Sequence, residues 1–193
     1  SAPGDPIRTL LGQDNDDPVL QAALEEKWGL NKSLPEQYLA YLSNAVQGDL
    51  GTSIIYERSV NDMIGEKVGA TVLLGLTSAI LALIIGTAMG IIAARHEGSA
   101  YDLVTSGATY TMNSVPSFWL GLMLIILFST KLGWLPSYGM TTARKNFEGW
   151  AYVADVMRHM MLPVMTLTLV TIPQYFRTAK SAVLQVMNED FIT

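Results

Sequence analysis

The chain has 193 residues, enough for one domain or one and a half; 50% of them are hydrophobic and only 15% charged, against roughly a quarter charged in soluble domains. A mean hydropathy of +0.29 excludes a disordered or coiled-coil chain, and a net charge of −5 leaves no basic surface to grip a phosphate backbone, so nucleic acid is not an expected partner. With no cysteine, disulfides, thiolate nucleophiles, zinc knuckles and iron–sulfur sites are excluded.

Residues 1–67 are polar and acidic, with eleven Asp and Glu against five Lys and Arg. They open on SAPGDP rather than on a basic stretch leading into an apolar core, so they do not read as a secretory signal. The segment Pro18 to Trp28 is a short amphipathic stretch. In SLPEQYLAYLSNAVQG, Ser33 and Glu36 form a capping box and Pro35 lies in the first turn, where its missing N–H is harmless. Leu34, Tyr38, Tyr41, Leu42 and Ala45 then recur at helical spacing until Gly48, a helix-stop residue. Two small helices at a membrane surface are expected; a separate substrate-binding domain is not expected at this size.

The distribution of charge is decisive from there on. Between Lys67 and Arg95 no ionisable residue occurs. The 27 residues from Val68 to Ala94 would reach about 40 Å as a helix, enough to cross roughly 30 Å of hydrocarbon. A second uncharged run, Leu103 to Thr130, lies between Asp102 and Lys131, and a third extends from near Met160 through Phe176 to Arg177 and Lys180. Three membrane spans are thus predicted, at about 68–94, 103–130 and 160–177, in an all-α membrane protein.

Within the first span, Gly86 and Gly90 form a small-xxx-small pair of the kind that lets helix backbones approach closely. Their partner is either another span of the same chain or a second subunit. The second span carries seven hydroxyl or amide side chains between Thr105 and Ser114, and Pro116 must kink or break it. Asn113, Ser114 and Ser117 either line a pathway or satisfy the carbonyls that the proline frees. A GxxxxGK[ST] loop, an HExxH pair, a GxSxG elbow and a dinucleotide fingerprint are all missing from the sequence, so catalysis is not expected. His96 and His159 fall in opposite connecting segments, on either side of the second span, so a joint metal site is not expected; His159 reads as an interfacial or helix-start residue.

Sidedness follows from the basic residues near span ends. Arg95 and His96 in the first link, and Arg177 and Lys180 after the third span, mark the cytoplasmic side. The segment from Lys131 to His159 also carries basic residues, but it is longer and includes Glu148 and Asp155. The acidic flank 1–67 belongs outside.

These segments, taken together, resemble the membrane-spanning permease subunits of bacterial and archaeal ATP-binding-cassette importers for oligopeptides, dipeptides and nickel. The resemblance covers nearly the whole chain. Its residues are PGDP at Pro3 to Pro6, WGLNKSLPEQYLAYL, QGDLGTS at Gln47 to Ser53, GATVLLGL in the first span, SVPSFWLGLMLI at Ser114 to Ile125, LGWLPSYG at Leu132 to Gly139, RHMMLPVMTL at Arg158 to Leu167, and RTAKSAVLQVMNEDFIT at the end.

The resemblance implies a type I importer transmembrane-domain fragment, with 1–67 extracytoplasmic, 68–193 a partial transmembrane domain, and 178–193 the start of the cytoplasmic coupling segment. It implies a further span before Ser1, and two more after a coupling loop that Glu189, Asp190 and Phe191 approach. It also implies partners: a second, homologous permease subunit, two cytoplasmic ATPase subunits that bind ATP and magnesium, and an extracytoplasmic substrate-binding protein. The chain itself then needs no cofactor and hydrolyses no ATP. Transport would proceed by alternating access, with peptides or nickel as substrate. A non-transporting anchor or assembly subunit is the other reading; the polar cluster around Asn113 favours transport, because an anchor has no use for costly polar groups at depth.

Overall fold

The computed structural model describes residues 18–143, 145 and 147–187. Its contacts divide the chain into two units, Ser1–Gly69 and Ala70–Thr193.

In the first unit, helix α1 (Pro18–Lys27) is followed by α2 (Leu34–Val46). Helix α2 starts where its capping residues place it: the backbone N–H of Ser33 donates to Glu36 Oε2 at 3.0 Å and its hydroxyl to the same oxygen at 2.7 Å. These two donors hold the Glu36 carboxyl below its ordinary range. The QGDLGTS stretch then forms a tight loop. Gly48 and Gly51 take φ of 84° and 81°, a region costly for side chains other than glycine. Asn61 locks the loop with both ends of its amide, donating to the Gly48 carbonyl and accepting from the Leu50 N–H at 3.0 Å. An isolated antiparallel bridge joins Thr52 to Ser59, and Arg58 pairs with Glu66 on the surface, each raising the other's preference for its charged form.

Helix α3 (Val60–Arg95) links the units. It begins eight residues before the uncharged run, because charge ends the apolar stretch without ending the backbone hydrogen bonding: Asp62, Glu66 and Lys67 all lie on the helix. Gly98, at φ 75°, makes the turn into α4 (Ala100–Ser114), and the Ser99 hydroxyl caps α4 by accepting from the Asp102 N–H at 3.2 Å.

The second uncharged run is not one helix. It forms α4, then α5 (Ser117–Leu124), which continues as a π-helical turn over Ile125–Lys131; the two arms meet at 103°. Pro116 dictates the break, since it has no N–H to donate and pushes the preceding residue out of the helical region. Val115 accordingly takes φ −82° and ψ 125°.

The last element, α6 (Gly149–Met187), has 39 residues. It begins eleven residues ahead of the expected third span and continues past Arg177 and Lys180 to Met187, so the charged residues that close the apolar run do not end the helix. Pro163 and Pro173 are inside it. A long membrane helix tolerates them because neighbouring helices and local backbone adjustment compensate for the freed carbonyls. His159, expected at a helix start or interface, is instead buried well within α6.

By length and composition, α3 and α6 can each cross a membrane, and the broken pair is a third span if its arms count as one. Register decides that it does. Ser78 of α3 meets Thr168 of α6, Gly86 meets Ile172 to Phe176, and Gly90 meets Phe176 to Lys180, so both sequences ascend together and the helices are parallel. Two parallel crossings require a crossing between them, and among the described residues only the α4–α5 pair is available to make it. Its own contacts follow α6 in the opposite direction, from Asp102 beside Lys180 to Gly121 beside Thr166.

Candidate functional site

The buried face of α3 is a stripe of small residues at intervals of four: Ser78, Ala82, Gly86 and Gly90. It lies against the Thr168, Ile172 and Phe176 side of α6, all three buried. A β-carbon at Gly86 would sit 2.8 Å from Tyr175 Cβ and 2.9 Å from the Ile172 carbonyl oxygen. One at Gly90 would sit 2.5 Å from the Phe176 carbonyl oxygen. Neither position has room for it, because the obstacle is largely backbone. The Thr168 hydroxyl crosses the seam to the Ser78 carbonyl at 3.4 Å. The partner of the glycine pair in this structure is thus another helix of the same chain.

At the Pro116 break, Asn113, Ser114, Pro116 and Ser117 are all exposed in the isolated chain. Their hydrogen bonding divides the roles that the sequence leaves open. The Ser114 hydroxyl turns back on the Tyr110 carbonyl at 3.4 Å, satisfying its own helix, whereas Asn113 Oδ1 accepts from Arg177 Nη2 of α6 at 3.4 Å. Further back along α4, Thr105, Thr109 and Thr111 each donate to the carbonyl four residues earlier, at 2.7 to 2.9 Å. Much of the polar character of this segment is therefore spent on its own backbone.

Two constellations escaped the reading of the sequence. In the first, Asp102, Lys180 and Ser106 converge between α4 and α6. The local signal was Ser99 followed three residues later by Asp102, a capping pair; the partner 78 positions on has no sequence signature. In the second, Asp155 on α6 accepts from the Thr142 N–H at 2.7 Å and its hydroxyl at 2.6 Å, and Arg158 donates to the Trp134 carbonyl at 2.9 Å. His159 Nδ1 lies 2.8 Å from the Asp155 carbonyl oxygen, so that nitrogen carries its proton. The segment after α5 is thereby strapped to the first turns of α6.

Two grooves open between these elements. One, of about 490 Å³ and almost wholly apolar, runs between α3, α4 and α6 past Ile85, Met89, Met112 and Ile172. The other, of about 520 Å³, lies between α5, α6 and the Pro136–Gly139 segment, with Ser117, Tyr138, His159 and Thr166 on its wall. Glu189, Asp190 and Phe191 lie outside the described residues.

Comparison with known proteins gives this architecture a family. A family model described as "binding-protein-dependent transport system inner membrane component" matches residues 86–193. The chain is 36% identical over 196 residues to the oligopeptide transport system permease protein AppB of Bacillus subtilis, covering 100% of the chain and 60% of that relative. It is 33% identical over 204 residues to the di/tripeptide transport system permease protein DppB of Pseudomonas aeruginosa, covering 98% of the chain and 61% of the relative. It is also 35% identical over 190 residues to the glutathione transport system permease protein GsiC of Escherichia coli, covering 98% and 57%. The chain belongs to the family of binding-protein-dependent transport system inner membrane components, and its fold is that of the type I ABC importer membrane domain. It spans about 60% of the length of these relatives.

Proposed function

We propose that this chain is the core of a permease subunit of an ATP-driven importer, carrying small peptides across the cytoplasmic membrane by alternating access. The observation that carries the reading is alignment with permease proteins along essentially its whole length. The names of those relatives (oligopeptide, di/tripeptide, glutathione) favour peptides over nickel as substrate. In the assembled importer the chain pairs with a second, homologous permease, two cytoplasmic ATPases that hold ATP and magnesium, and an extracytoplasmic binding protein. Residues 1–67 and the segment 131–159 face outward, and 178–193 lead into the coupling loop, with Glu189, Asp190 and Phe191 beside the ATPase.

The break at Pro116 supports a pathway rather than an anchor, because an anchor has no use for a broken span with exposed polar side chains such as Asn113 and Ser117 beside the break. Asn113 and Ser117 face that pathway. The test is uptake of a labelled dipeptide and tripeptide by cells with and without the intact permease, its partners present throughout. Peptide uptake that depends on the permease, and falls with Asn113→Leu in a complex that still assembles, supports the reading. Uptake unchanged by loss of the permease leaves only the anchor.

A further inference from the structure

Asp102 is 5% exposed yet ionic, and both oxygens of its carboxylate accept hydrogen bonds. It accepts from Lys180 Nζ, from the Ser106 hydroxyl at 3.0 Å and from the Gly98 N–H at 3.1 Å. Lys180 Nζ also donates to Ser106 Oγ at 3.2 Å. A single carboxylate thus ties together the turn between α3 and α4, the first two turns of α4, and α6. The same residue of α6 also meets α3, for a β-carbon at Gly90 would fall 3.1 Å from the Lys180 backbone nitrogen. Lys180 is held by its backbone against one helix and by its ammonium against another. Seven residues further on, α6 reaches Met187, next to the segment read as the approach to the coupling loop.

We infer that the Asp102–Lys180 pair, at the point where α3, α4 and α6 meet, is a strut that carries displacement of the coupling segment into α4 and so to the Pro116 break. The inference rests on the reading of the chain as an importer subunit. Stability alone does not call for such a pair, since apolar residues of similar volume commonly replace a buried ion pair without loss. What apolar packing lacks is resistance to shear: two smooth faces pass a push but slide along one another. Gly98 and Ser106 fix the carboxylate on the α4 side, so any shift of α6 along α4 strains the two directed bonds that Lys180 Nζ makes across the boundary, to Asp102 and to Ser106. The glycine seam transmits to α3 by close contact, and the strut adds α4, whose far end also receives the Arg177 guanidinium at Asn113. Asp102, Ser106 and Lys180 are positioning residues that touch no substrate.

The test uses the full-length permease, assembled with its partner permease and ATPases in proteoliposomes, and reads peptide taken up per ATP hydrolysed. A parent complex that assembles but imports no peptide overturns the functional reading, whatever the strut does. With an active parent, Asp102→Asn and Lys180→Met are expected to lower that ratio about tenfold, a typical energetic coupling between sites, with ATP hydrolysis retained; Lys180→Arg keeps the parental ratio. Should Asp102→Asn fail to assemble, Ser106→Ala decides the matter: it leaves the ion pair and removes the two charge-assisted hydrogen bonds of the Ser106 hydroxyl, to Asp102 and from Lys180, and a fall of about threefold or more in the ratio is expected. An unchanged ratio in whichever variant assembles, or uptake and hydrolysis falling in the same proportion, overturns the strut.

Discussion

At Gly90 the missing side chain is what lets two backbones touch. A β-carbon there would meet the Phe176 carbonyl oxygen at 2.5 Å, and a carbonyl within a continuous helix has nowhere to retreat. Overpacking of this kind costs about 1–3 kcal/mol even where side chains can adjust, and here the obstacle is backbone. Gly90→Leu is therefore expected to reduce the assembled permease recovered from membranes by about tenfold, an energy near 1.4 kcal/mol. Ala88→Leu, on the exposed face of the same helix, should leave recovery within about twofold. Quantitative blotting of the detergent-extracted complex checks both. Recovery of Gly90→Leu at the parental level would mean the seam opens in the assembled protein.

Among the elements, the broken pair α4–α5 is where composition and geometry diverge most. An uncharged run of this length would be built as one straight helix were it not for Pro116, whose ring forces Val115 extended and sets the arms at 103°. Pro116→Ala restores the N–H and lifts the restriction on Val115, so the arms are expected to straighten. Spin labels replacing Val104 and Leu127, both exposed, would then approach the separation of about 35 Å that 23 residues of straight helix give, well beyond that in the parent. Uptake should fall in step while the complex stays assembled. An unaltered spin–spin distance would show that packing against α6, rather than the proline, holds the bend.

For the molecule as a whole, the parallel course of α3 and α6 fixes the number of crossings between them at an odd value. Whatever the absolute orientation, the α3–α4 turn and the segment after α5 must then face opposite sides. The sequence lacks cysteine, which makes the consequence accessible to measurement. Single cysteines replacing Glu97 and Ser137, both exposed, are expected to differ on intact cells: the one at Ser137 reacts with a membrane-impermeant thiol reagent, and the one at Glu97 reacts only after permeabilisation. The reverse pattern would invert the assigned orientation while preserving the fold. Equal labelling of both on intact cells would contradict the parallel register itself.

The membrane class, the existence of three apolar runs, the capped start of α2 and the position of the break in the second run were legible in the amino-acid order. Each depends on local chemistry: hydrocarbon excludes charge, a capping box satisfies its own turn, and proline cannot donate. The glycine pair was legible too, as a close-packing motif whose partner was left open. Helix starts were not, because a helix runs on past the last apolar residue as long as its backbone bonds persist, as α3 does back to Val60 and α6 back to Gly149. Nor was the burial of His159, which depends on the segment strapped across it through Asp155 and Arg158. The tertiary structure alone decided which helix fills the glycine seam, that α3 and α6 run parallel, and that Asp102 finds Lys180. Those are pairings between residues 78 or more positions apart, and charge, size and spacing along the chain carry no information about which distant surface will come to lie opposite.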